Sequence, residues 1–162
     1  MVIPLLSLVA VIQAVWLARV NLWGARPDLM LLVVFVWSFV RSLDEGVVWA
    51  FIGGLIIGLF SGEPWGAHAL ALLVAATVAG QSWGQALGSS VIRLVLLSIV
   101  CVLMYHLVLL VSLAWTGYTV GWEYALSQVA WPSVVLNTAL APVVQQVLSW
   151  LDRRTSTESF RL

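Results

Sequence analysis

The chain contains no lysine and few charged residues of any kind. Only 9% of its 162 residues are charged, and seven acidic side chains balance seven arginines. A soluble domain carries about 25% charged residues, so this composition, with 62% hydrophobic residues, indicates an integral membrane protein. The lack of any basic face argues against a nucleic-acid partner.

Cysteine and histidine are also scarce, which limits the chemistry available. Cys101 is the only cysteine, so no intrachain disulfide can form. His68 and His106 have no further ligand at metal-binding spacing, and neither they nor Glu63 accompany a nucleophile in a catalytic setting. We therefore predict no catalytic residue, no metal and no cofactor. Hydrogen-bonded packing is the preferred role for both histidines, although an ionisable group inside a membrane is also a functional candidate.

No long polar segment interrupts the apolar runs, so no soluble domain is expected. The runs predict a compact all-α bundle of six transmembrane helices over residues 1–151, followed by a short cytoplasmic tail at 152–162. The first run lacks a basic leader and is expected to be retained rather than cleaved. The second and third runs reach only roughly 18 and 21 Å at 1.5 Å per residue, so these helices are predicted to be short. The predicted helices cover 3–20, 29–40, 47–60, 65–79, 91–114 and 124–151.

The arginines are distributed unequally between the two sides of this bundle. Six helices place both termini on the same side of the membrane. By the positive-inside rule that side is cytoplasmic, which predicts a multi-pass protein of the cytoplasmic (inner) membrane. Five arginines share the side of the termini (Arg41, Arg93, Arg153, Arg154 and Arg161), and two lie opposite (Arg19 and Arg26).

The first helix carries a stripe of small residues. Ala10, Ala14 and Ala18 recur every four residues, with the polar Gln13 beside them. Such stripes let a second helix approach closely in lipid. Two interpretations remain open, packing against this protein's own helices and binding of a partner's helix.

Helices two, three and six carry further structural signals. Pro27 opens helix two, and the Asp28 carboxylate favours the positive end of its dipole. In helix three, Gly54, Gly58 and Gly62 predict a close helix crossing. In helix six, Asn137 is expected to hydrogen-bond across helices, and kinks are expected at the flanking prolines, Pro132 and Pro142.

The order of these motifs resembles the MreD family of bacterial rod shape-determining membrane proteins, over nearly the whole chain. Where family members often carry an aspartate, this chain has Gly58, so no role of that acid can be transferred. The motifs are Pro27-Asp28-Leu29, Gly54-Leu55, Ser61-Gly62-Glu63-Pro64-Trp65-Gly66 with His68-Ala69-Leu70, and Asn137-Thr138-Ala139-Leu140-Ala141-Pro142.

The resemblance implies a non-enzymatic scaffold of the cell-elongation machinery that helps to organise peptidoglycan synthesis and cell shape. Its implied partner is an MreC-like single-span protein, and the wider assembly would include MreB, RodA and a class B penicillin-binding protein. It also implies a fold similar to the substrate-binding subunits of energy-coupling-factor transporters.

The alternative is a substrate-binding membrane subunit of a vitamin or small-molecule transporter. The six-helix plan and the alanine stripe favour it, because such subunits use a stripe of this kind to dock their transporter. The lack of a polar cluster suited to a vitamin argues against it. A copurified ligand would indicate transport, whereas a copurified single-span protein would indicate a scaffold.

Overall fold

The regular structure of this chain is helical. The computed structural model describes residues 2–15, 27–62, 64–81 and 90–156, and these form six helices without a strand. The predicted all-α class is therefore confirmed. The bounds are α1 Val2–Val15, α2 Leu29–Val40, α3 Leu43–Ser61, α4 Ala67–Gly80, α5 Ser90–Trp115, and α6, which joins Trp122–Tyr124, a π-helical segment Ala125–Ala130, and Trp131–Ser156.

Three of the described helices, α3, α5 and α6, are long and apolar enough to cross a membrane. The prediction that helix three is short is wrong. The side chain of Ser42 caps its N-terminus by accepting a hydrogen bond from the backbone of Glu45, at 3.4 Å. Asp44 and Glu45, which precede the predicted range 47–60, thus lie in the first helical turn, where acidic groups favour the helix dipole.

The short helix α2 lies at the centre of the bundle. All nine residues from Met30 to Ser38 are buried, and α2 contacts each of the other described helices. A helix that is apolar on every side avoids water when other helices surround it. Its 12 residues rise about 18 Å, less than the ~30 Å hydrocarbon core, as the sequence predicts.

Close approach between α3 and α4 depends on glycine. A Cβ on Gly54 would overlap the backbone of Ala69, and one on Gly80 would lie 2.9 Å from the Cα of Leu43. The crossing predicted at Gly54 is therefore present. A Cβ on Gly58 would have no neighbouring atom within 4 Å, so the expectation that Gly58 joins this crossing is wrong. Gly62 ends α3 in the left-handed conformation, with φ of +66°, and is not a packing residue.

The two ends of the bundle differ in their side chains. Arg41, after α2, forms salt bridges with Glu45 of α3 and with Asp152 of α6. At the other end of the bundle, Trp65 lies just before α4 and Trp115 is the last residue of α5. Both are more than 80% exposed, as aromatic residues at a membrane interface commonly are. The helix α6 continues to Ser156, beyond its predicted end at Leu151.

The start of α6 departs from regular α-helix. Pro132 has no amide hydrogen, so the carbonyl four residues earlier loses its α-helical donor. The π-helical segment Ala125–Ala130 ends two residues before this proline. Its hydrogen bonds join residues five apart rather than four, which accommodates the loss. Pro142 lies inside the following α-helix.

The glycine positions yield a paired test. Gly54→Ala should lower the melting temperature of the detergent-purified protein, because overpacking a fixed backbone contact costs about 1–3 kcal/mol. Gly58→Ala is the matched control in the same helix and should be neutral or slightly stabilising, since alanine favours helix and open space surrounds it. Equal melting temperatures for the two variants would contradict the crossing.

Candidate functional site

Asp28 caps the buried N-terminus of α2. It adopts an extended backbone conformation (φ −101°, ψ 91°), and its Oδ1 accepts a hydrogen bond of 3.0 Å from the backbone N–H of Leu31. The first amides of any helix lack partners within the helix and must be satisfied from outside it. A carboxylate also favours the positive end of the helix dipole, as the sequence predicts for Asp28.

Gln13 of α1 supplies the second set of contacts at this terminus. Its Oε1 accepts a 2.8 Å hydrogen bond from the backbone N–H of Met30, and its Nε2 donates at 3.1 Å to Asp28 Oδ1. One amide side chain therefore satisfies a helix amide and also holds the capping carboxylate. Of the two interpretations left open for the stripe and Gln13, these contacts favour internal packing for Gln13, because its oxygen and one of its N–H groups are engaged within the chain.

Asn137 of α6 supplies the third contact. It is fully buried; its Oδ1 accepts a 3.0 Å hydrogen bond from the backbone N–H of Asp28, and its Nδ2 donates at 2.9 Å to the Ser133 carbonyl. The predicted hydrogen bond between elements is thus confirmed. Asn137 is the sixteenth residue of the 32-residue span Trp122–Arg153, so α2 begins at the level of the middle of α6.

Gln13, Asp28 and Asn137 together form a polar junction of α1, α2 and α6. Every contact described above runs to a backbone group or to another member of the junction. The arrangement stabilises a helix terminus in an apolar interior, where an unsatisfied amide would cost about 1–3 kcal/mol. It contains one ionisable group and no nucleophile, so the geometry fits structural support rather than chemistry.

The two histidines make hydrogen-bond contacts in α4 and α5. His68 is buried and its Nδ1 lies 2.9 Å from the hydroxyl of Tyr105, which ties α4 to α5. His106 Nδ1 lies 2.9 Å from the carbonyl of Val102 in its own helix. Within the described residues, no three His, Cys, Asp or Glu side chains are placed to hold a metal ion. Glu63 lies outside the described residues.

The alanine stripe is divided by the fold. Ala10 is fully buried in the core, Ala14 is exposed, and Ala18 lies outside the described residues. Internal packing therefore accounts for Ala10. A partner-binding role for the remaining stripe stays a prediction.

The other predicted motif residues are dispersed. Pro27 lies beside the junction as the residue before Asp28. Gly66 adopts a left-handed conformation (φ +89°) immediately before α4, and Pro64 accepts a 3.1 Å backbone hydrogen bond from Ala67 at the same turn. These residues shape the entry to α4, and none of them contributes to the polar junction.

Two contacts have no strong sequence signal. Ser98 of α5 donates a 2.8 Å hydrogen bond to the hydroxyl of Thr138 on α6, and Trp37 stacks on Trp49 with ring centres 4.2 Å apart. A serine or threonine can equally bond to its own helix, so the sequence alone does not reveal such a pair. The stacked tryptophans hold α2 against α3 near the salt bridges of Arg41 with Glu45 and Asp152.

The fold and the junction define a multi-helical membrane protein built around a buried, capped helix. A family model described as rod shape-determining protein MreD matches residues 1–151. The chain therefore belongs to the MreD family, whose members determine the rod shape of cells. No curated protein and no solved structure gives a significant match.

The junction predicts a specific loss of stability. Asn137→Leu should lower the free energy of unfolding by about 1–3 kcal/mol, because the partly buried backbone amide of Asp28 loses its acceptor. Gln146→Leu removes an exposed amide from the same helix and is the matched control. Thermal unfolding in detergent measures both. A decrease no larger than that of the control would show that the junction does not support the fold.

Proposed function

We propose that the protein is a non-enzymatic scaffold of the cell-elongation machinery in the cytoplasmic membrane. In this proposal it binds an MreC-like single-span protein and helps to organise peptidoglycan synthesis with RodA, a class B penicillin-binding protein and MreB. Membership of the MreD family supports a role in cell shape. The polar side chains of the junction are occupied with internal hydrogen bonds, which favours a structural role over catalysis or vitamin binding.

The proposed topology has six spans and cytoplasmic termini. Its support is the placement of charge: Arg41 bonds to Asp152 near the C-terminal end, and Arg41 and Arg93 line one common cavity. Three arginines of the predicted cytoplasmic side, Arg41, Arg93 and Arg153, thus lie at or near one end of the bundle. The three shorter helices would cross as part of the packed bundle rather than as independent spans.

The observation that carries the partner site is the position of α1. Among the described helices α1 packs only against α2 and α3, so it lies at the edge of the bundle. Its outward face contains exposed Val11, Ala14 and Val15. Ala14 is smaller than the neighbouring Val11 and Val15, so we treat its position as a shallow notch where a partner's transmembrane helix can approach closely, since helix association in lipid relies on close packing. Ala14 is therefore the proposed centre of the site, and Ala10 supports α1 from inside.

Bulk at this notch should weaken the complex. Ala14→Trp should reduce copurification of the MreC-like partner about tenfold or more while the melting temperature of the isolated protein stays unchanged, because Ala14 faces outward. Ala114→Trp, at an exposed alanine of α5, is the matched control and should leave copurification intact. A copurified vitamin-like ligand with no single-span partner would instead favour the transporter alternative.

Crosslinking locates the interface directly. In a Cys101→Ala background, cysteine at Val11 or Ala14 should crosslink to the partner's transmembrane helix, whereas cysteine at buried Ala10 should not. Crosslinks obtained only from α5 or α6 would move the interface away from α1 and contradict this site.

The absence of catalysis has its own test. A variant with alanine at His68, His106 and Glu63 together should retain rod shape in cells wherever the protein folds and the partner complex forms. The variant is expected to be less stable, because the contact between His68 and Tyr105 is lost. Loss of rod shape with an intact complex would contradict the non-enzymatic role. Ala14→Trp is the comparison variant, because any loss of rod shape in it should follow from weaker binding of the partner.

A further inference from the structure

A cavity of about 130 Å³ lies at the end of the bundle that carries Arg41. Ser38 and Phe39 near the end of α2, Gly80 and Gln81 at the end of α4, and the two arginines Arg41 and Arg93 form much of its wall. Arg93 belongs to the first turn of α5. Arginine, glutamine and backbone groups thus meet at the rim of a membrane bundle, where lipid headgroups would lie.

The two arginines of this cavity differ in their partners. Arg41 is engaged with Glu45 and Asp152. The guanidinium carbon of Arg93 lies 4.6 Å from the centre of the Phe39 ring. Its Nε is buried and has no hydrogen-bond partner, and no carboxylate among the described residues forms a salt bridge with it.

This arrangement leaves a charged donor unsatisfied. A buried donor without an acceptor is costly, more so when it belongs to a charged group. Contact with the Phe39 face stabilises the cation but uses none of its N–H groups, which lie in the guanidinium plane. That planar set of donors matches the oxygen atoms of a phosphate. The positive end of the α5 dipole adds to the attraction for an anion at the same place.

Apolar groups next to the cavity distinguish a lipid from a free anion. Phe39 and Leu97 form part of its wall, and the neighbouring Val91 and Ile92 of α5 are more than half exposed. A phosphate bound at Arg93 on a lipid headgroup would place its acyl chains along this exposed surface. A free phosphate would gain nothing from these side chains.

We propose that this cavity binds the phosphate of an anionic phospholipid, with Arg93 as the principal ligand. Arg41 also lines the wall, but its charge is already neutralised by Glu45 and Asp152, so Arg93 is the cation left for the phosphate. The site anchors the ends of α2, α4 and α5 to the cytoplasmic leaflet, where anionic headgroups attract basic pockets between helices. It does not depend on the partner site on α1.

The test measures lipid binding to the full chain in detergent by native mass spectrometry and thermal shift. Phosphatidylglycerol should bind and stabilise the wild type more than phosphatidylcholine does, and inorganic phosphate should do neither. Arg93→Gln should weaken phosphatidylglycerol binding about tenfold, the effect of losing one charge-assisted hydrogen bond. Arg153→Gln, at an exposed arginine that does not line the cavity, is the matched control and should bind like the wild type.

A second variant keeps the test decisive if Arg93→Gln fails to fold. Gln81→Glu leaves Arg93 in place and puts a negative charge at an exposed position on the cavity wall. It should fold normally and lose the preference for phosphatidylglycerol. Retention of that preference by either folded variant, or no preference in the wild type, overturns the proposal. Displacement of the lipid by inorganic phosphate overturns the assignment to a lipid source.

Discussion

The burial of the α2 N-terminus is the constraint on which the rest of the fold depends. A helix N-terminus presents several amide hydrogens without acceptors, and in an apolar interior no water can satisfy them. Here Asp28 caps the terminus, Gln13 reaches it from α1 and Asn137 reaches it from α6. These three side chains fix the relative positions of α1, α2 and α6, and α6 is far from the other two in sequence. Without them, a short helix could not begin at mid-depth in the bundle.

Around this fixed helix, packing is achieved by two different means. Glycine brings α3 and α4 together, since Gly54 and Gly80 allow backbone contact with the neighbouring helix. At the charged end, salt bridges from Arg41 join the end of α2 to α3 and α6. The polar junction described above fixes the middle of the bundle, and the salt bridges of Arg41 fix one end. The bundle is therefore fixed both at the polar junction and at its charged end.

The two proposed surfaces follow from what this internal packing leaves unused. The notch at Ala14 faces outward because α1 contacts only two described helices. The Nε of Arg93 at the cavity has no hydrogen-bond partner, whereas Arg41 pairs with Glu45 and Asp152. In these two proposals, one surface takes a partner's helix and the other takes a lipid headgroup.

The sequence by itself determined the helical class, the membrane location and the central α2 segment, because apolar length and bounding polar residues are local properties. It also identified Asp28 as a carboxylate at the positive end of α2 and Asn137 as a side chain that hydrogen-bonds across helices. Only the tertiary structure decided which groups meet. Gly54 and Gly58 look alike in sequence, yet one lies against Ala69 and the other faces open space. Likewise Ala10 is buried and Ala14 exposed. Which side of a helix meets a neighbour depends on the rotation and crossing of helices, and these are set by contacts between residues distant in sequence.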